Sequence, residues 1–300
     1  MARTRELRRR IRSIQNIRKI THAMELVAGA KMRRAQSVVL GTRRYAELAW
    51  ELLAEVQRRS DVLRHPLLAG RHPIRRSALL VVSGNRGLVG AFHERVVDRA
   101  MTLIARESSA PLVVTTGKVA RDALHRRGVR IEADFPKKDL LVAADDATSI
   151  AQFLLTGFLR EEVDQVSMVY VDFRSVMRQE VQSRVLLPVG GVDPFLGQVS
   201  EERPTALPLK GGGSVEYLFE PSPIRVLEAV IPNLLAIQVT QALLETTASE
   251  HAARMVTMRN ATENADEMQD DLVLAFNDAR KSSITQEILE IVSGQWSVVR

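Results

Sequence analysis

The chain has 300 residues, 45% of them hydrophobic and 26% charged, which is enough to bury the core of one large domain or two modest ones. It contains no cysteine, so disulfides, thiolate metal sites and cysteine nucleophiles are excluded. Its net charge of +6 is divided unequally: residues 1–65 hold 16 basic and 6 acidic residues, a balance of +10, whereas residues 223–300 hold 6 and 11, a balance of −5, and such opposite charge favours pairing of the two ends.

The first predicted element is one long helix over about residues 3–60. Its apolar residues recur at steps of three and four from Leu7 to Val56, and the segment has no proline. At about 1.5 Å per residue the helix is roughly 80 Å long. A single compact domain does not cover a helix of that length, so the pattern predicts a partner helix or a partner protein along it.

The start of this helix is strongly basic. Residues 5–24 contain six arginines and one lysine against a single acid, Glu6. Such a segment could grip nucleic acid, lie on an anionic membrane, or pair with another helix and an acidic protein. The first aromatic residue of the chain is Tyr45, so the segment lacks side chains that stack on bases or anchor a helix in a membrane surface. We therefore favour the third interpretation and keep a basic coiled-coil nucleic-acid-binding protein as the alternative.

The middle of the chain alternates between short apolar runs and segments of helical period. The pattern predicts strands at 77–82, 111–117, 164–173 and 180–189, and helices at 93–107, 118–128 and 146–161. No helix lies between the last two strands, so they are expected to pair as an antiparallel hairpin. Alternation of this kind predicts a small α/β layered domain, followed by a Gly- and Pro-rich loop at 190–214.

The last predicted element is a second long helix, in which Pro232 is expected to cause a kink or short break near the start. No stretch approaches 18 uncharged apolar residues, so no transmembrane helix is expected. The predicted fold class is α+β, with a long antiparallel two-helix coiled coil formed by the N- and C-terminal helices and a central α/β (Rossmann-like) domain. The predicted boundaries are 1–64, 65–220 and 221–300. Because the heptads are imperfect, an irregular supercoil is expected.

No motif in the sequence assembles a catalytic or metal site. The turn GNRGLVG (84–90) follows a strand and precedes a helix, but its glycines fall as GxxGxxG rather than GxGxxG, and no GK[ST] occurs. A structural turn is therefore favoured over a phosphate site, and a stand-alone nucleotide-binding enzyme is only a third hypothesis. The six histidines form no HExxH and no other metal spacing. Neither enzymatic activity of the chain alone nor a cofactor is expected.

Five segments carry a resemblance to a known family. They are ITHAMELVAGAKMRRAQ (20–36), LLVVSGNRGLVGAF (79–92), YVDFRSVMRQEV (170–181), ASEHAARMVTMRNATENA (248–265) and ARKSSITQEILEIVSG (279–294). In order and spacing the chain resembles the gamma subunit, or central stalk, of the rotary F-type ATP synthase over nearly its whole length.

The resemblance implies a non-catalytic rotor. The two long helices would turn inside a ring of three alpha and three beta subunits, while the globular part holds an epsilon-type subunit and the membrane c ring. Proton flow would turn the c ring, and ATP would form in the beta subunits. The implied location is the cytoplasmic face of the cell membrane, peripheral, in a bacterial-type complex. Neither direct transmembrane insertion nor a specific nucleic acid partner is implied.

The resemblance also implies contact residues. Those expected to touch alpha or beta subunits are Lys19, Ile20, Met24, Glu25, Arg254, Arg280, Lys281, Thr285, Gln286 and Glu287. Those expected to face the c ring or the epsilon-type subunit are Tyr217 and Glu220. Lys281 departs from the family, which has glutamine there, and an ammonium group cannot accept a hydrogen bond. A plant-type regulatory dithiol is excluded because the chain has no cysteine.

Overall fold

The computed structural model describes residues 2–57, 67–68, 70–71, 73–107, 109–137, 144–189, 220 and 222–297. They form α1 (Ala2–Gln57), β1 (Ser77–Val82), α2 (Phe92–Ile104), β2 (Leu112–Thr116), α3 (Lys118–Arg126), β3 (Ile131–Phe135), α4 (Ala144–Leu159), β4 (Gln165–Phe173), β5 (Gln179–Leu187) and α5 (Pro223–Ser297). The chain divides into two compact units, one of Met1–Gly29 with Arg254–Arg300 and one of Ala30–Ala253. Both long helices therefore contribute to both units.

The second unit is built on a five-stranded sheet in the order β3-β2-β1-β4-β5. The first four strands are parallel, and β5 runs antiparallel to β4, as the missing helix between them predicted. Strand β3 was not predicted from the sequence. Its five residues, IEADF, alternate between half-buried and exposed, which is too short a pattern to separate an edge strand from a loop.

Side chains of β1 alternate between two cores, one on each face of the sheet. On one face, Leu80 and Val82 pack among residues of α4 and the first part of α5. On the other face, Leu79 and Val81 pack among residues of α2 and α3. The second unit is thus a three-layer α/β arrangement, and every residue of β1 is buried.

Helix α5 is 75 residues long and continues through Pro232, so the predicted short break does not occur, whereas the kink stays a prediction. Proline has no N–H to donate to the carbonyl four residues earlier, but that carbonyl belongs to Glu228, an exposed residue on the water-facing side. The next residue, Asn233, donates its Nδ2 to the carbonyl of Ala229 at 3.1 Å, which adds a side-chain hydrogen bond beside the proline. The carbonyl of Glu228 loses its backbone partner, but its exposed position limits the cost.

One window of α5, within Ile224–Leu289, is long and apolar enough by length and composition alone to cross a membrane, with a mean hydropathy of 1.4. The composition of the chain predicted no such window. Ile231, Leu235 and Val239 of this helix lie in the core beside α4, and 47% of the window is buried, so packing against the sheet explains part of its apolarity.

Candidate functional site: paired helix ends and a filled crevice

In the first unit, the N-terminal part of α1 and the C-terminal part of α5 pair in antiparallel fashion. The guanidinium of Arg8 lies 5.6 Å from the ring centre of Phe276, and Arg259 Nε lies 3.7 Å from Glu25 Oε1. Between these contacts α1 advances by 25 − 8 = 17 residues while α5 retreats by 276 − 259 = 17 residues. Equal and opposite steps are the signature of antiparallel helices in constant register, as the sequence predicted.

Polar contacts join the two helices between the Arg8–Phe276 and Glu25–Arg259 contacts. The hydroxyls of Thr21 and Thr262 are 2.8 Å apart, and Thr21 Oγ1 donates to the carbonyl of Arg18 at 3.0 Å. The guanidinium of Arg18 forms an ion pair with Asp266, and both side chains are about half exposed. An ion pair so accessible to water contributes about 1 kcal/mol or less. Its larger effect is to fix which residues of the two helices face each other.

The buried and half-buried side chains of the pair follow coiled-coil spacing. On α1 they include Leu7, Ile11, Ile14, Thr21, Glu25 and Ala28, and on α5 they include Met258, Thr262, Ala265, Gln269, Leu272, Phe276, Ala279 and Ser283. Steps of three and four, with one step of seven from Ile14 to Thr21, confirm the predicted seam in part. Ile17, Ile20 and Val27, which the sequence pattern placed in the same stripe, lie outside it. The polar members explain why the heptads look imperfect in the sequence.

Large apolar side chains also lie outside the seam, on the water-facing sides of both helices. They are Ile17, Ile20, Leu26 and Val27 on α1, and Met268, Val273, Leu274, Ile284, Ile288 and Leu289 on α5. Ile20 is 59% exposed and Leu289 is 62% exposed. A helix pair that needed only to face water would not carry so many of them, so this outer surface is suited to contact with other proteins.

The residues carried over from the family resemblance fall into three groups. The exposed ones are Lys19, Ile20, Arg280, Lys281, Thr285, Gln286, Glu287 and Glu220. Met24 is half-buried, Arg254 is buried, and Glu25 contacts Arg259 across the seam. Tyr217 lies outside the described residues, as does the loop 190–214. The subunit contacts of all these residues stay predictions.

The second unit contains the place where doubly wound folds hold a ligand. Such folds bind ligands at the carboxyl ends of the parallel strands, where the strand order reverses, with a phosphate on the free N–H groups of a helix. Here β2 lies on one side of β1 and β4 on the other. Residues of the turn that follows β1 accept hydrogen bonds from the first three backbone N–H groups of α3. Lys118 N donates to Asn85 Oδ1, Val119 N to the carbonyl of Gly84 and Ala120 N to Ser83 Oγ, each over 3.2 Å.

A buried ion pair fills the rest of this crevice. Lys137 Nζ lies 3.2 Å from Glu250 Oε2 on α5 and donates to the carbonyl of Ser83 at 3.0 Å, and the two side chains are 4% and 8% exposed. The Glu250 carboxylate lies 2.4 Å from where a Cβ on Gly84 would stand. Asn85 Nδ2 donates to the carbonyl of Lys137 at 2.6 Å. The contacts of residues 84–90 therefore support the structural turn rather than the phosphate site.

A second buried polar cluster joins α5 to β4. Asp172 is 1% exposed and Glu245 is 4% exposed, and Gln241 Nε2 donates to Glu245 Oε1 at 3.1 Å. Burial raises the pKa of Asp172, and the guanidinium groups of Arg174, 2.8 Å away, and Arg184 oppose that rise. Burial and the nearby Glu245 also raise the pKa of Tyr170.

Sequence reasoning did not single out Lys137, Glu250, Asp172 or Glu245. The usable signal was an acid inside an apolar run: Asp172 interrupts the strand sequence VYVDF, and Glu245 interrupts the helix sequence ALLETTASE. A charged residue on a buried face needs a partner, so each position predicts a polar contact. The sequence does not indicate which partner that is.

Comparisons with known proteins agree with this arrangement. Residues 3–298 match the ATP synthase family. The ATP synthase gamma chain of Roseiflexus castenholzii is 39% identical over 298 residues, or 98% of each chain, and that of Pelotomaculum thermopropionicum is 40% identical over 291 residues, or 97% of each chain. A chain in the Euglena gracilis mitochondrial ATP synthase (OSCP/F1/c-ring, rotational state 3) shares the fold, with a TM-score of 0.67 at 19% identity over 99% of this chain and 95% of that one. The chain belongs to the ATP synthase gamma chain family.

Proposed function

We propose that this chain is the central-stalk rotor subunit of a proton-translocating ATP synthase and has no catalytic site of its own. It couples rotation of a membrane c ring to conformational cycling of the catalytic beta subunits. The observation that carries the proposal is the antiparallel helix pair with large apolar side chains on its outer surface. The internally filled crevice argues against a nucleotide site in the α/β unit.

The partners follow from the family and from the surface. Three alpha and three beta subunits surround the helix pair, and the epsilon-type subunit and the c ring bind elsewhere on the chain. The OSCP/F1/c-ring assembly that contains the similar Euglena chain supports these partners. The ATP synthase is a membrane-associated complex, and we place this chain peripherally at the cytoplasmic face of the cell membrane.

The asymmetry of the helix pair supplies the mechanism. Its α1 side exposes cations such as Arg9, Arg12 and Lys19, whereas its α5 side exposes acids such as Glu267 and Asp271. Rotation therefore presents a different surface to each beta subunit in turn. A partner that binds two conformations unequally shifts the equilibrium between them, and this difference moves each beta site between its states. The nucleic-acid-binding alternative gains no support.

The proposal is tested by reconstitution with the alpha and beta subunits of the same complex. The parent chain is expected to join them and rotate during ATP hydrolysis, as seen by a bead fixed to the chain. Ile20→Glu is expected to reduce assembly or rotation, because it places a charge on the outer apolar surface without touching the seam. Gln15→Glu is the matched control, since Gln15 is exposed and already polar.

Two results would contradict the proposal. One is ATP hydrolysis at enzyme-like rates by the purified chain alone. The other is a parent chain that folds, as shown by its helical circular dichroism, but does not associate with the alpha and beta subunits. If the Ile20→Glu and Gln15→Glu variants assembled and rotated equally well, the outer apolar surface would not be the contact with the alpha and beta subunits.

A further inference from the structure

Helix α5 crosses the end of the sheet from one face to the other. Residues Ile231 to Leu243 lie in the core on the α4 face, whereas Ala253 lies in the core on the α2 and α3 face. The crossing occurs at the carboxyl ends of the parallel strands, the position at which this type of fold holds a ligand. In this chain, a helix of the chain itself takes that position.

The crossing segment is held by directional polar contacts. Thr246 Oγ1 accepts the N–H of Val171 at 3.2 Å, just beyond Val169, the last β4 residue in the described register with β1. Thr246 thus supplies a hydrogen bond to β4 beyond the end of its pairing with β1. One turn further along α5, Glu250 pairs with Lys137.

These contacts restrain α5 in a way that apolar packing does not. Dispersion contacts between apolar side chains are many, individually weak and without a preferred direction. A buried hydrogen bond or ion pair differs, because moving it leaves a polar group without a partner in a dry environment. The Glu250 carboxylate is fixed at this point between Lys137 and the backbone at Gly84.

We propose that Thr246, Glu250 and Lys137 form a torque clamp, through which the α/β unit turns α5 during coupled rotation. The inference rests on the rotor function proposed above and assigns a positioning role to these residues. Because α5 is one continuous helix from Pro223 to Ser297, a force applied at the crossing acts on the same helix that pairs with α1. A clamp that loosens lets the α/β unit turn without carrying α5 fully with it.

The test separates clamping from folding by replacing both charges at once. Replacing a buried ion pair with apolar residues of similar volume is often neutral for stability, whereas removing one partner is not. The Lys137→Met/Glu250→Met variant is therefore expected to melt close to the parent chain. The matched control is Asp98→Ala/Arg127→Ala, which removes an exposed 2.8 Å ion pair between α2 and α3.

The experiment uses the complete ATP synthase in proteoliposomes. It measures ATP-driven proton pumping by quenching of a pH-sensitive dye and divides it by the rate of ATP hydrolysis. The Met/Met variant is expected to lower this ratio severalfold, while the Asp98/Arg127 control leaves it unchanged. Thr246→Val is expected to lower the ratio and Thr246→Ser to preserve it, which keeps the test decisive if the Met/Met variant does not fold.

The outcomes distinguish the clamp from the rotor function on which it rests. A parent complex that couples, together with Met/Met and Thr246→Val variants that couple equally well, overturns the clamp and leaves the rotor function intact. A parent chain that folds but does not support pumping overturns both. A variant that loses stability and coupling in proportion, with Thr246→Val unaffected, assigns these residues to folding alone and also overturns the clamp.

Discussion

Replacing Gly117 with alanine is expected to destabilise the α/β unit. Gly117 connects β2 to α3 and has a φ of +98°, a conformation that side chains rarely adopt. A Cβ at this position would lie 2.5 Å from the carbonyl oxygen of Ser83 and 2.6 Å from its carbonyl carbon. Both contacts are with backbone atoms, so no side-chain rotation relieves them.

The magnitude has two parts. Holding alanine at a positive φ costs about 1–3 kcal/mol. Moving the Ser83 backbone out of contact resembles overpacking of a core, which costs about 1–3 kcal/mol. The expected loss is therefore roughly 2–6 kcal/mol, or a fall in melting temperature of about 4–24 °C for a unit of this size.

The control is Gly128→Ala. Gly128 follows α3 with a φ of +79°, and a Cβ there would meet nothing within 4 Å. The Gly128→Ala variant therefore has the free-energy cost of alanine at a positive φ without the close contact to backbone atoms. Urea unfolding of both full-length variants, with hydrogen exchange at the β2 amides, measures the difference. If Gly117→Ala destabilised the chain no more than Gly128→Ala, the close approach of Gly117 to Ser83 would be refuted.

Two further predictions follow from the buried acid and from the helix pair. Because burial raises the pKa of Asp172 above its usual 3.8, the folded chain holds this proton more tightly than the unfolded chain, and the associated stability is lost as pH rises through the folded pKa. The stability of Asp172→Asn relative to the parent should therefore increase as pH rises from 3.8, and urea titrations at stepped pH that showed a constant difference would contradict this. Arg8→Glu should weaken the helix pair by about 1 kcal/mol more than Arg9→Glu, because both side chains are exposed but the Arg8 guanidinium lies over the Phe276 ring, 5.6 Å from its centre. Thermal unfolding followed by circular dichroism measures the difference, and equal effects would contradict this cation–π contact.

The elements with strong local patterns could be predicted from the sequence. Strand β1 begins and ends at the predicted residues, 77 and 82, because Ser77 and five consecutive apolar residues, all buried, lie between clear turn signals. Helix α3 begins at Lys118 as predicted, directly after Gly117. Helix α1 runs unbroken from Ala2 to Gln57, since a sustained apolar spacing without proline leaves few alternatives.

The partners of the buried charges could not be predicted in the same way. Lys137 and Glu250 are 113 residues apart, and their contact depends on how α5 passes the end of β1. Local spacing carries no information about such a distant pair. Pro232 gives the opposite lesson: the local rule predicted a break, but packing of the surrounding turns in the core keeps the helix intact.

The change of burial along α5 explains why one helix can serve two purposes. From Ile231 to Arg254 nearly every side chain is buried or half-buried, as expected for a helix enclosed by the sheet and its neighbours. From Met255 to Leu289 the buried and half-buried side chains concentrate at coiled-coil spacing, as expected for a helix with one partner. The polar residues from Glu245 to Glu250 lie just before this change, where α5 crosses the sheet. A rotor needs a firmly held segment and a segment with a free outer surface on one stiff element, and α5 provides both without a break in its backbone.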